Sequence, residues 1–233
     1  MIKSLRHQDI KAETSLAKFL DSYFYNRLSP TKGSKLEIQR VEDKELQLKG
    51  VDVRIETDDS ELLIDEKAAF YYSNAMIPTF AFELESIQKG HEKPVEGWFI
   101  NDELITNYYM LVWPNIRCEQ VDGIWIRKDL SSIKKSDFTI VEAMLVSRKQ
   151  LRKQIEDYGF DKDYLVKYAI DMRKKYFKDS GRIEIKLSDG VKIVYSGNLA
   201  EKSINLVVSK EKIKKSAKGI YLISEDGYAT IKG

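Results

Sequence analysis

Two carboxylates and a lysine stand on neighbouring apolar runs of this chain. Asp52 lies within Leu48-Lys49-Gly50-Val51-Asp52-Val53-Arg54-Ile55, and Asp65 and Lys67 within Glu61-Leu62-Leu63-Ile64-Asp65-Glu66-Lys67-Ala68. Carboxylates held side by side repel each other unless a cation lies between them, so such a pair favours Mg2+ or Mn2+ with oxygen ligands. A metal there would polarise a phosphate and acidify a bound water. A lysine alongside would orient that water, help to deprotonate it, or offset charge in the transition state. This is the minimal equipment for breaking a phosphodiester. Gly50, just before Val51 and Asp52, leaves room for a phosphate backbone to come close to the strand.

The elements that must position these residues follow from hydrophobic periodicity. Side chains alternate along a strand, so Asp65 and Lys67 share one face while Ile64 and Glu66 take the other. Strands are expected over about Leu46 to Glu56 and Glu61 to Phe70, joined through Asp58-Asp59 as an antiparallel hairpin, which brings Asp52, Asp65 and Lys67 to one patch. The apolar neighbours Leu62-Leu63-Ile64 and Ala68-Ala69-Phe70 bury the second strand on both faces, where charges without a task are costly. A third strand is expected over Thr79 to Ser86. Before the hairpin, residues 9 to 28 form an amphipathic helix with Ile10, Leu16, Phe19, Leu20, Phe24 and Leu28 on one stripe, stopped by Pro30 and Gly33.

Beyond a polar loop at Gly90 to Gly97, Trp98-Phe99-Ile100, Tyr108 to Trp113 (stopped by Pro114) and Gly123 to Ile126 are expected as strands, with Trp98, Trp113 and Trp125 in the core. Thr139 to Val146 feeds a helix capped by Ser147 and ended by Gly159, and a second helix spans about Asp161 to Phe177 on Leu165, Tyr168, Ile170 and Met172. The tail is β-structure, with a hairpin about Ser188-Asp189-Gly190 and further strands at 204–208, 220–223 and 228–231. One integrated domain is expected, its core about 9–146 with the helices and hairpins of 147–233 packed on it; a separate tail domain from Gly181 is the alternative.

Composition narrows the function classes. No apolar run reaches the length of a membrane span, and the first residues lack the apolar core of a signal peptide, so a soluble, cytoplasmic protein is expected. The single cysteine, Cys118, excludes an internal disulfide and a cysteine-based zinc site. His7 and His91 share no ligand spacing, and no Ser/His/Asp or Cys/His arrangement is visible. A net charge of +2 gives no strong general grip on nucleic acid. Positive charge does cluster at Arg148-Lys149 with Arg152-Lys153, at Arg173-Lys174-Lys175 and from Lys210 to Lys218. These are solvated helix faces or, locally, holds for a phosphate backbone. Tyr71 and Tyr72 pack at the core rim or stack on bases.

Gly50-Val51-Asp52, the spacer, and Ile64-Asp65-Glu66-Lys67 resemble the signature of the PD-(D/E)xK nuclease superfamily over roughly residues 9 to 86, with Val51 where that family usually has proline. The resemblance implies an α/β, restriction-endonuclease-like mixed sheet with flanking helices, here with a β-rich C-terminal part. It implies Mg2+-dependent (or Mn2+-dependent) cleavage of nucleic acid, DNA rather than RNA. Asp52 and Asp65 would bind metal, Lys67 would be the catalytic lysine, and Glu13 on the preceding helix would complete the shell. Glu83 or Glu85 on the third strand could add a further polar group. A catalytically silent module of the same fold, binding nucleic acid or a protein, is the alternative. The excess of lysine, 29 against 10 arginines, fits an AT-rich genome, and the family's habits suggest a phage or mobile element. Nothing in the sequence marks an oligomeric interface.

Overall fold

The structure, a computed structural model, describes residues 6–30, 32–88 and 93–233. His91, part of the expected polar loop, the first five residues and the His7 side chain lie outside the described residues. In chain order the principal elements begin with α1 (Arg6–Tyr23), β1 (Leu36–Arg40), α2 (Lys44–Leu48), β2 (Val53–Thr57), β3 (Glu61–Ala68), β4 (Thr79–Ser86) and β5 (Val95–Glu96). Next come β6 (Tyr108–Ile116), β7 (Cys118–Val121), β8 (Ile124–Arg127), β9 (Phe138–Ser147), α3 (Arg148–Asp157) and α4 (Lys162–Tyr176). The chain closes with β10 (Arg182–Ser188), β11 (Val191–Ser196), β12 (Ile204–Ser209), α5 (Lys210–Ile213), β13 (Ala217–Ser224) and β14 (Gly227–Lys232). The protein is mixed α/β, and none of its described helices is long and apolar enough to cross a membrane.

The residues group into two compact units, each drawn from separate stretches of chain. The larger comprises residues 6–30, 32–77, 105–148 and 217–233 and holds a seven-stranded sheet of order β1-β2-β3-β6-β9-β13-β14. β1, β2 and β3 form an antiparallel meander; β6 then joins β3 in parallel, and the rest is antiparallel again. On one sheet face Ile64, Val53, Met110, Val112 and Ala143 meet Ala12, Leu16, Phe19 and Leu20 of α1. Those helix residues recur at three- and four-residue spacing, which is what lays a single apolar stripe on a sheet. Ile10, expected on the stripe, is exposed.

The smaller unit, residues 78–88, 93–104 and 149–216, holds a five-stranded sheet of order β10-β11-β12-β4-β5. α4 packs on β4 and β11 through Leu165, Ala169 and Met172, while Ile170, expected inside, is exposed. Gly159 takes a left-handed φ of +89° after α3, and Gly190 one of +66° in the β10–β11 turn, as their places in the sequence predict.

Several expectations need correction. Residues 44–48 are the helix α2, whose start is capped by the Asp43 side chain accepting from Glu45 N and Leu46 N, so strand β2 begins only at Val53. Residues 79–86 do form a strand, but it pairs with 204–209 in the five-stranded sheet; the neighbour of β3 is 108–116. Trp98-Phe99-Ile100 is a turn, not a strand. Strand β6 runs past Pro114, because the pairing with β9 shifts register between Pro114 and Ile116 and the missing N–H falls at that irregularity. Of the three tryptophans only Trp113 is buried; Trp125 is 69% exposed on the β7–β8 ribbon.

Candidate active site

The hairpin β2–β3 places the predicted residues together. Asp52 sits at a bend just before β2, tied into the sheet by its own N–H to Ile64 O at 2.8 Å and by its carbonyl, which accepts from Val41 N at 2.9 Å. Its side chain turns to β3, where Oδ2 accepts the Glu66 backbone N–H at 2.8 Å. The acid is thus anchored to the strand that bears its partners. On β3, Asp65 is 2% exposed and Lys67 Nζ lies 2.6 Å from its Oδ1. Asp65 Oδ2 is buried with no hydrogen-bond partner among the described residues. An orphaned carboxylate oxygen in such a place calls for a cation or a proton.

The electrostatics follow from that packing. Burial drives the Asp65 carboxyl up; Lys67 pulls it back, Asp52 pushes it further, and it settles at about 7. Burial would lower the Lys67 ammonium, but the charges of Asp65 and then Asp52 hold it above its ordinary value, with Glu13 adding to them. Glu13, exposed on α1, is therefore within electrostatic reach of the lysine. Among the described residues, no three His, Cys, Asp or Glu side chains converge as a ready-made metal cage. The donor set the hairpin offers is the Asp52–Asp65 pair. That fits a Mg2+ ion, which commonly takes one or two carboxylates and keeps several waters.

Other expected contributors are engaged locally. Glu83 and Glu85 lie on β4 in the smaller unit, where Glu83 accepts from Ser86 Oγ at 3.2 Å and Glu85 pairs with Arg173. Arg173, expected on a solvated helix face, is instead buried in that pair and donates to Lys202 O at 2.8 Å. Gly50 has a φ of +82° and follows α2, its N–H bonded to Gln47 O at 2.9 Å and its carbonyl accepting from Thr106 Oγ1. Its left-handed backbone ends a helix, a task glycine suits for want of a Cβ.

A second charged cluster, missed in the sequence, lies behind the first. Glu66 points to the α1 side of the sheet, where Arg40 of β1 grips it at 2.9 and 3.1 Å. The same guanidinium holds Asp21 of α1 through bonds of 2.7 to 2.9 Å. Burial alone would lower the Arg40 charge, but Glu66 and then Asp21 raise it above its usual range. The Tyr25 hydroxyl lies against Glu66, and burial followed by the Glu66 charge holds that phenol well above its ordinary value. The Arg40 grip therefore falls on the residue whose backbone N–H carries Asp52. The alternation Leu36-Glu37-Ile38-Gln39-Arg40 was the available signal for β1. No protein-family model, no curated protein and no solved structure matches this chain.

Proposed function

We propose that this chain hydrolyses phosphodiester bonds of nucleic acid, DNA in the first place, in a reaction dependent on Mg2+ or Mn2+, and that its larger unit is a divergent restriction-endonuclease-like core. The observation that carries the proposal is the buried, unpartnered Asp65 Oδ2 beside a second carboxylate, on a strand that also presents Lys67. Asp52 and Asp65 would hold the ion, with Glu13 nearby. When bound, the ion supplies Lewis acidity toward the scissile phosphate and acidifies water. Lys67 stays protonated at neutral pH, since its neighbours raise its pKa. It therefore acts as a donor that orients water and offsets developing negative charge, and a general base is sought elsewhere. Asp65 supplies the lone pair that keeps the ammonium in place.

A second proposal, a silent module of the same fold, is favoured by one observation: Lys67 already neutralises Asp65, and the described residues offer no third ligand in place. Incubation with supercoiled plasmid and linear single-stranded DNA in Mg2+ or Mn2+, beside Asp65→Ala and Lys67→Ala, separates the two. Metal-dependent cutting lost in both variants supports the enzyme. No cutting by the wild type, or equal cutting by the variants, defeats it.

A further inference from the structure

Strands β7 and β8 form a two-stranded ribbon within the larger unit, joined to no other strand of the described residues. Its turn has Asp122 at φ +50° and Gly123 at φ +79°, two successive left-handed residues as in the turns that match strand twist. Cross-strand pairing sets Gln120 opposite Trp125 and Cys118 opposite Arg127, so Trp125 and Arg127 share one face. Glu119 pairs with Ile126 on the other. The tryptophan face therefore carries a cation and no strand carboxylate.

The ribbon is fastened to the segment that leaves the candidate site. Arg127 Nη1 donates to Tyr71 O at 2.7 Å. Asn74 Nδ2 donates to Ile116 O at 2.7 Å and its Oδ1 accepts from Ile116 N at 2.6 Å, at the ribbon's root. Tyr71 and Tyr72, 42% and 40% exposed, follow Lys67 by only four and five residues. Arg117 and Arg127 are ion-paired to no described carboxylate, whereas Lys128 is held by Asp137 at 2.6 Å.

We propose that Trp125, Tyr71 and Tyr72 form a stacking platform for unpaired bases of a single-stranded nucleic acid, with Arg117 and Arg127 against its backbone. The identity of the ligand rests on the nuclease proposal. Exposed aromatic side chains fit many partners; bases are selected by the short run of chain from Lys67 to Tyr71 and Tyr72, and by the Arg127 charge on the tryptophan face, which no described carboxylate pairs. A two-stranded ribbon is too small to build a core of its own, and Trp125 is 69% exposed on it.

The test is intrinsic fluorescence of the full chain titrated with oligothymidylate in excess chelator, which stops turnover. Trp125 is the tryptophan open to solvent, so stacking quenches it. We expect quenching that is absent in Trp125→Phe, which should retain most of the affinity. Trp125→Ala should bind roughly 5- to 150-fold more weakly by anisotropy of a labelled oligonucleotide, and Tyr72→Ala should weaken binding in the same range. A blunt duplex of equal length should bind at least about tenfold less tightly than the single strand, since its bases are already stacked. Equal affinity of wild type and both alanine variants overturns the proposal. So does Trp125-dependent self-association without any response to oligonucleotide, which would make the face a contact between copies. If DNA is never cut yet quenching persists, hydrolysis fails and the platform stands; if DNA is cut while Trp125→Ala binds normally, the reverse holds.

Discussion

Replacing Asp65 by asparagine removes a titrating group while keeping its shape. The Asp65 carboxyl titrates near 3.8 when unfolded and at about 7 when folded, so between these values the native state holds more protons than the unfolded one. Stability must then fall as pH rises through that window, and be free of the penalty below it. About three pH units at about 1.4 kcal/mol each give about 4 kcal/mol, the amount by which the wild type should lose ground to Asp65→Asn between pH 4 and just above pH 7. Urea unfolding of both proteins in chelator, at half-unit pH steps, reads this as a difference of free energies, so carboxylates common to both cancel. Lys67 does not contribute to the slope, because it is protonated in both states throughout. Excess Mg2+ should restore part of the wild-type loss above pH 7 and do little for the variant. A pH-independent difference would refute the account of a desolvated carboxylate facing an unfilled demand for charge.

Lys67→Met removes the charge that pulls Asp65 down, so the same fall in stability should move above pH 7, checked in the same urea series, and DNA cutting should disappear. Arg40→Met leaves Glu66 and Asp21 without their shared cation; unfolding free energy should drop by about 3 kcal/mol, at the lower edge for a buried pair because the cluster is partly exposed, and Arg40→Lys should recover little of it. Gly97→Ala would drive a Cβ into the Glu83 carbonyl, and because backbone cannot step aside cheaply the melting temperature should fall with a loss of about 1–3 kcal/mol.

The hairpin bearing the candidate site was legible because two apolar runs flank the Asp58-Asp59 turn, and the alternation of side chains along any strand fixes which of them share a face. Asp65 and Lys67 fall on one side of β3 and Glu66 on the other, as their parity requires. What alternation does not encode is the neighbour. Thr79 to Ser86 has the pattern of a strand wherever it pairs, and its partner lies more than a hundred residues ahead, at 204–209. The expected extension of β2 back to Leu46 failed because Asp43 caps a helix there, a local bond that outweighs a short apolar run. Arg40 was missed for a related reason: its importance comes from Asp21 and Glu66, which only the tertiary fold brings to it. Trp125 was expected in the core because it sits in an apolar run, but four consecutive exposed residues make β8 a strand with no inside.

The interleaving of the two units has a consequence for synthesis. Strand β4 emerges early, with Phe80, Phe82 and Leu84 on its buried face, but one of its edges is closed only by β12 after more than a hundred further residues. Until then it presents unpaired N–H and C=O groups beside an apolar surface, the combination that recruits other chains. The β1-β2-β3 meander, by contrast, is closed within residues 36–68 and can form on the ribosome with its own neighbours. A nascent chain halted before residue 204 would thus hold the hairpin of the candidate site while exposing a sticky edge, and a dependence on holdase chaperones during translation is what such an order of completion favours.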